Sequence, residues 1–132
     1  MSILFADIDD PKIINDSYGH LVGDKVLKIL ANILRKDIRE TDYIARYGGE
    51  AFAVICTETP LEGALKIGRR LISTVSSNSF VHEKGTIRLT ISIGIASTNP
   101  GETISSTQLI DRADKALYSA KENGKNQCCS YL

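Results

Sequence analysis

The chain has 132 residues and a mass of 14.4 kDa, which is enough for one domain with a hydrophobic core and too few for two. Its 16 basic and 16 acidic residues cancel. This balance argues against nucleic acid or a membrane surface as the partner, because such binders carry a basic excess. No apolar run approaches the ~20 residues that span a bilayer, and we expect no signal peptide. Three cysteines, two of them adjacent, do not make a disulfide framework, so we expect a cytoplasmic domain.

Hydrophobic patterning predicts alternating strands and helices in one domain that covers residues 1–132. Apolar runs and period-two alternation predict strands, whereas apolar residues at helical spacing predict helices. The predicted strands are Ser2–Ile8, 43–46, Ala51–Cys56, 87–95 and a last short one at 127–131. The predicted helices are a short turn at 12–17 and longer ones at 22–37, 61–75 and 109–121. This order indicates an α+β fold, a ferredoxin-like sandwich with helices packed on a central, mainly antiparallel sheet.

Acidic side chains cluster at the carboxyl end of the first predicted strand, at Asp7, Asp9 and Asp10. Carboxylates this close repel one another unless a cation offsets them, and hard oxygen ligands of this kind suit Mg²⁺. From this cluster alone, a solvated acidic turn is the better explanation. The predicted turn at 47–50 adds Glu50 beside a glycine pair that lets a phosphate approach closely. If the two strands are neighbours, Asp7 and Glu50 meet and share metal ions for phosphoryl or nucleotidyl transfer, although a glycine pair alone indicates only a turn.

Two further groups of residues have both a functional and a structural explanation. The amide of Asn15 and the carboxylate of Asp24 can hydrogen-bond the edge of guanine, but both residues are also typical helix caps. Lys121 and Lys125 can balance the charge of a triphosphate, but lysines at a helix end also complement its dipole. Taken one at a time, these groups favour the structural explanation.

Four segments together resemble the GGDEF domain of diguanylate cyclases. They are DIDxxKxINDxxGHxxGD at 7–24, RYGGEAF at 46–52, TISIGIA at 90–96 and RADKALYSAKENGKN at 112–126. The resemblance covers nearly the whole chain, and four motifs in the right order are far more specific than any one of them. It implies a palm-type fold related to nucleotide cyclases and polymerases. It also implies a homodimer in which each domain holds one GTP, and which forms cyclic di-GMP and pyrophosphate.

The resemblance also assigns roles to individual residues. Mg²⁺ (or Mn²⁺) would be held by Asp7, the main-chain carbonyl of Ile8 and Glu50. Guanine would be recognised by Asn15 and Asp24. The phosphates would be bound by Lys12, Lys121 and Lys125 with Gly48 and Gly49, and catalysis would rest on Glu50, Asp7 and Lys121. In this scheme the protein mainly positions the reactants and stabilises charge.

A second, regulatory site is implied by Arg39-Glu40-Thr41-Asp42. This segment matches the family's RxxD product-inhibition motif and lies five residues before Gly48. Arg70 stands where the family often supplies a second arginine for cyclic di-GMP. Arginine suits this role because its planar fork binds phosphate in a bidentate manner and stacks on bases. The RxxD string alone would indicate only a solvated helix end, and its fixed distance from Gly48 is what favours a product site.

The chain departs from the family's pattern in four places. Active members carry a second acid where this chain has Ala51, so metal affinity or hydroxyl activation should weaken. Pro11 replaces a phenylalanine and removes a backbone N–H that can bind phosphate. Lys125 replaces an arginine and keeps charge without bidentate geometry. The family's leading helix is missing, so we expect the isolated domain to be monomeric.

Two functions therefore remain open from the sequence. The first is a diguanylate cyclase domain with reduced activity. The alternative is a degenerate domain that binds GTP or cyclic di-GMP and regulates a neighbour, such as a sensor or phosphodiesterase domain.

Overall fold

The structure is a computed structural model that describes residues 1–47, 51–82 and 85–131. Its strands are β1 (Ser2–Ile8), β2 (Tyr43–Tyr47), β3 (Ala51–Cys56), β4 (Phe80–His82), β5 (Gly85–Ile87), β6 (Ile91–Ser97) and β7 (Cys128–Ser130). Its helices are α1 (Pro11–Tyr18), α2 (His20–Asp37), α3 (Leu61–Ser77) and α4 (Ser106–Glu122). None of the helices in these ranges is both long and apolar enough to cross a bilayer.

Five strands form the central sheet in the order β2-β3-β1-β6-β7. The pairs β2–β3, β3–β1 and β1–β6 are antiparallel, and β7 pairs with β6 in parallel. Strands β4 and β5 form a separate two-stranded sheet. The predicted α+β class with a mainly antiparallel sheet is confirmed.

Alternation along β1 divides the core between the two faces of the sheet. Leu4 and its even-numbered neighbours pack with α2 and α3, and Leu4 is completely buried. Ile3 and Phe5 point to the opposite face, where residues of α4 cover them. The sheet is therefore covered by helices on both faces, and β1 lies at its centre with its carboxyl end at Ile8.

Helix α4 packs directly against the backbone of β6 at Gly94. A Cβ atom at this position would lie 2.1 Å from the backbone nitrogen of Leu117 and 2.3 Å from the carbonyl oxygen of Ala113. Since neither atom belongs to a flexible side chain, only glycine allows the helix to rest directly on the strand. This contact explains why the TISIGIA segment has a glycine at position 94, and it fixes the position of α4 on the sheet.

The prediction of one strand over 87–95 is wrong. Strand β5 ends at Ile87, which pairs with Phe80, and β6 begins at Ile91, which pairs with Ile8. Ile87 and Leu89 are buried while Arg88 is exposed, so alternating burial continues through a segment that is not a strand. Alternation alone therefore cannot show where one sheet ends and another begins.

The helices are longer than predicted at several ends. Helix α1 has eight residues rather than one turn, because Pro11 occupies its first position, where a missing N–H costs nothing. Helix α4 begins at Ser106, where Ser105 and Gln108 form a capping box. The predicted glycine turn at 47–50 includes Gly48, Gly49 and Glu50, which lie outside the described residues.

Candidate functional site

The carboxyl end of β1 carries the first predicted site residue, Asp7. Its carboxylate lies 2.7 Å from the Nζ atom of Lys121 in the last turn of α4, and both side chains are partly exposed. On the opposite side, Asp7 is paired in the sheet with Ala51. Two of the three residues predicted for catalysis therefore meet. The third, Glu50, directly precedes Ala51 in the sequence and is outside the described part of the chain.

A divalent metal fits this end of β1. Asp7 offers a carboxylate and Ile8 a main-chain carbonyl, which is the small, all-oxygen donor set that Mg²⁺ accepts when phosphates and water complete its shell. No group of three or more potential metal-ligating side chains exists within residues 1–47, 51–82 and 85–131. A metal here would therefore need Glu50 or the substrate as a further ligand.

A pocket of about 140 Å³ lies beside the same strand end. Both predicted guanine-binding residues, Asn15 and Asp24, line it. The volume is smaller than the ~300–1,000 Å³ of sites for whole drug-sized ligands, so it suits one base. The full lining is Ile8, Pro11, Ile14, Asn15, His20, Gly23, Asp24, Val26, Leu27 and Arg46.

The capping explanation for Asn15 and Asp24 is wrong. The N-cap residues of α1 and α2 are Asp10 and Gly19, and neither makes a side-chain capping bond. Asn15 lies inside α1, and Asp24 is the fifth residue of α2, beyond its first turn. The two side chains are therefore not needed to begin the helices that carry them.

Gly23 is a pocket residue that the sequence analysis missed. A Cβ atom at Gly23 would lie 2.3 Å from Oδ1 of Asn15, so any larger residue would displace the amide. The only signal in the sequence was the glycine within GHxxGD, and nothing there connects it with Asn15. His20 and Arg46, which also line the pocket, were missed as well.

The loop after α4 places a second lysine near the acids. Nζ of Lys125 lies 2.5 Å from Oδ1 of Asp10, and this hydrogen bond and the negative charge of Asp10 raise the pKa of Lys125. Beside this pair, Asp9 is buried and accepts the backbone N–H of Asn126. Lys12, the third predicted phosphate ligand, is exposed on the first turn of α1 and forms no ion pair within the described ranges. The lysines thus surround the carboxyl end of β1.

The two charged residues of the RxxD motif form an ion pair at the end of the sheet opposite to Asp7. Nε and Nη2 of Arg39 donate to the carboxylate of Asp42 at 3.2 Å, and this contact raises the pKa of Arg39. The same guanidinium donates to the carbonyl of Thr57 and the hydroxyl of Thr59. The carboxylate of Asp42 is fully buried, while the side chain of Arg39 is 54% exposed. Arg39 and Asp42, both assigned to the product site, therefore lie together, and the donors of Arg39 already bond within the protein.

Arg70, the second predicted product-site arginine, reaches the same loop from α3. Its Nη2 donates to the carbonyl of Asp37, the last residue of α2. Both arginines thus contact the connection between α2 and β2. Neither interaction requires a ligand.

Comparison with known proteins identifies the family. The model of the family described as "Diguanylate cyclase, GGDEF domain" matches residues 1–127. This chain is a member of that family. Diguanylate cyclase A from Treponema denticola is 42% identical over 127 residues, which are 96% of this chain and 34% of that protein. The GGDEF domain described here thus spans about a third of the length of that curated relative.

Solved structures confirm the fold of this GGDEF domain. The active GGEEF domain of a diguanylate cyclase from Vibrio cholerae matches with a TM-score of 0.90 and 33% identity, over 99% of this chain and 82% of that one. The GGDEF domain of DgcB from Caulobacter crescentus, solved in complex with c-di-GMP, matches with a TM-score of 0.91 and 31% identity. That match covers 98% of this chain and 77% of that one.

Proposed function

We propose that this GGDEF domain is a diguanylate cyclase domain that condenses two GTP molecules into cyclic di-GMP and pyrophosphate. A single observation carries the proposal. Asn15 and Asp24, which the helices do not need as caps, line one base-sized pocket, and Ile8 continues that pocket to the carboxyl end of β1. Guanine recognition and phosphate chemistry would therefore take place side by side.

The pocket can select guanine by its hydrogen-bonding groups. The carboxylate of Asp24 accepts from N1–H and the exocyclic amine of guanine, and the amide of Asn15 meets a ring nitrogen or the O6 oxygen. Adenine has no N1–H donor, so it would leave the carboxylate without one partner. Gly23 supports this selection because it leaves room for the Asn15 amide.

The phosphates would lie among the lysines at the end of β1. Mg²⁺ or Mn²⁺, held by Asp7, the Ile8 carbonyl and Glu50, would stabilise charge on the transferring phosphoryl group. Lys121 is already 2.7 Å from Asp7, so its ammonium is positioned to bind a phosphate oxygen near the same carboxylate. Lys12 and Lys125 would supply further positive charge.

The reaction needs a second copy of the domain. The 3′-hydroxyl of one GTP attacks the α-phosphate of the other, and each domain supplies one nucleotide, so a homodimer is part of the proposal. The proposal also includes attached sensor or phosphodiesterase domains and a cytoplasmic location. It further includes binding of cyclic di-GMP at Arg39, Asp42 and Arg70. The relative DgcB, which was solved with c-di-GMP, supports the last of these.

Ala51 is the observation that favours a second candidate function. It faces Asp7 across the β1–β3 pair, so a carboxylate at this position would lie beside the proposed metal. Without that carboxylate, a module that binds GTP or cyclic di-GMP and regulates its neighbour is the alternative.

Restoring the carboxylate decides between the two functions. The chain would be fused to a dimerising coiled coil, incubated with GTP and Mg²⁺ or Mn²⁺, and assayed chromatographically for cyclic di-GMP. We expect product from the unmodified sequence and at least tenfold more from Ala51→Glu. Ala45→Glu, which adds the same charge on exposed β2, is the matched control and should change nothing. If the unmodified chain binds GTP but gives no product, and product comes only from Ala51→Glu or from neither protein, the cyclase proposal fails and the binding module stands.

A further inference from the structure

Among the described residues, Asp9 is the one buried carboxylate at the carboxyl end of β1. The residue is 5% exposed, and its two oxygens accept three hydrogen bonds. Oδ1 accepts the hydroxyl of Ser92 at 2.6 Å, and Oδ2 accepts the hydroxyl of Thr90 at 2.6 Å and the backbone N–H of Asn126 at 3.0 Å. No lysine or arginine forms an ion pair with Asp9 in the part of the chain that the structure describes. The three hydrogen bonds that hold it therefore come from neutral donors.

These bonds connect three separate segments. Asp9 lies in the turn between β1 and α1, and Asn126 lies in the loop between α4 and β7. Thr90 directly precedes β6, and Ser92 is the second residue of that strand. The backbone N–H of Asp9 also donates to the carbonyl of Thr90 at 2.9 Å. Hydrogen bonds to a carboxylate are among the stronger ones in proteins. Asp9 therefore ties the loop after α4 to the centre of the sheet.

The loop needs such a tie because its backbone is unfavourable. Gly124, Lys125 and Asn126 have φ values of 119°, 65° and 50°, which is the left-handed region. Glycine adopts this region freely and asparagine tolerates it, so Lys125 is the residue for which the conformation is unfavourable. The ion pair between Lys125 and Asp10 is exposed to solvent, and such pairs are weak. The partly buried bond from Asn126 to the carboxylate of Asp9 is thus the stronger restraint on the loop.

We propose that Asp9 is a positioning residue that holds the loop after α4 so that Lys125 faces the phosphate side of the nucleotide site. The proposal rests on the proposed function, because that function assigns Lys125 to phosphate. Asp9 itself touches neither nucleotide nor metal in this scheme. Its effect passes through the Asn126 N–H to the adjacent Lys125.

Two substitutions at Asp9 separate its hydrogen bonds from its charge. Asp9→Asn keeps one oxygen for Thr90 and Asn126, and its amide can donate to the Ser92 hydroxyl. Asp9→Ala removes every side-chain bond. Each variant of the full chain would be titrated with two ligands in the presence of Mg²⁺. The first is α,β-methylene-GTP, whose methylene bridge prevents cleavage between the α- and β-phosphates. The second is guanosine, which has no phosphates.

We expect Asp9→Ala to weaken binding of the GTP analogue at least tenfold and that of guanosine less than threefold. Asp9→Asn should stay within threefold of the unmodified chain for both ligands. In a Lys125→Ala background, Asp9→Ala should cost less than threefold, because the lysine through which it acts is already absent. Equal losses for both ligands, or the same tenfold loss without Lys125, would overturn the proposal.

A second readout keeps the proposal testable if the proposed function fails. Amide hydrogen exchange of residues 123–127 should be at least tenfold faster in Asp9→Ala, with β1 still protected. If the unmodified chain binds neither ligand, the proposed function fails. The exchange measurement then still tests whether Asp9 holds the loop. Unchanged exchange at Asn126 would refute it. If Asp9→Ala does not fold, Thr90→Val, which removes one donor to the same oxygen, should give a three- to tenfold loss for the GTP analogue only, and no loss would refute it.

Discussion

Replacement of Gly94 by alanine tests how α4 is seated on the sheet. The added Cβ would lie 2.1 Å from the Leu117 nitrogen, whereas ordinary contact begins near 3.4 Å, so the separation must grow by about 1.3 Å (3.4 − 2.1). Both nearest atoms belong to the backbone of α4, so the helix must move as a body. Overpacking of this kind costs about 1–3 kcal/mol, and we expect the upper end because no side chain can yield.

The same substitution should also impair the proposed site. Lys121 lies at the end of α4, and a displacement of about 1 Å can cost up to ~100-fold in rate. Urea denaturation would give the loss of unfolding free energy, and a thermal melt should fall by roughly 10 °C. Cyclic di-GMP formation would be measured on the same samples.

A glycine in a different setting provides the control. At Gly63 in α3, the nearest atom to an added Cβ is the methyl carbon of Thr59 at 3.0 Å, which belongs to a side chain. Alanine is also better than glycine inside a helix by about 1 kcal/mol. Gly63→Ala should therefore destabilise the fold clearly less than Gly94→Ala does. If Gly94→Ala is as stable as the unmodified chain within about 0.5 kcal/mol, the reasoning about the α4–β6 contact is refuted.

Two other substitutions test the pocket and the core. Gly23→Ala should weaken GTP binding by roughly 1–3 kcal/mol, because the added Cβ would lie 2.3 Å from Oδ1 of Asn15 and push the amide out of place. An unchanged GTP affinity in a calorimetric titration would contradict the proposed base site. Burial raises the pKa of the Cys56 thiol to about 11 from an ordinary value near 9. The folded state therefore keeps its full stability below pH ~9 and loses about 2–3 kcal/mol as pH rises to about 11, because only the unfolded thiol ionises readily. Denaturation at pH 7 to 10 should show a flatter decline for Cys56→Ala, and identical slopes would rule this out.

Much of the fold follows from local sequence pattern. The bounds of β1 and β3 are confirmed to the residue, because each is a short apolar run bounded by polar or turn residues. The apolar residues that recur at helical spacing along α2 are also buried, Leu30 and Leu34 almost completely. In such elements the local period and the tertiary burial agree, so the sequence alone is sufficient.

Other features depend on contacts between distant residues. Strands β4 and β5 have three residues each, which is too short for a period to be recognised. Within the described residues they pair only with one another. Arg39 meets Thr57 and Thr59 only because the β2–β3 hairpin returns the chain to the end of α2. The spacing of residues in the sequence does not predict such long-range contacts.

The candidate site was predictable in its residue types and not in its geometry. The motif strings contain Asp7, Asn15, Asp24 and Lys121, and the structure places these residues around one strand end. The support for them was not predictable. The space that Gly23 leaves for Asn15 depends on the crossing of α1 and α2, which no local pattern encodes.

The most direct test of the central claim is a comparison of GTP and ATP binding by the unmodified chain. Calorimetric titration of both nucleotides in the presence of Mg²⁺ would be repeated with Asp24→Ala. We predict that GTP binds roughly 5- to 150-fold more tightly than ATP, which corresponds to about 1–3 kcal/mol, and that Asp24→Ala abolishes the difference. Equal affinity for the two nucleotides, or a preference that survives loss of the Asp24 carboxylate, would contradict the claim that this pocket recognises guanine.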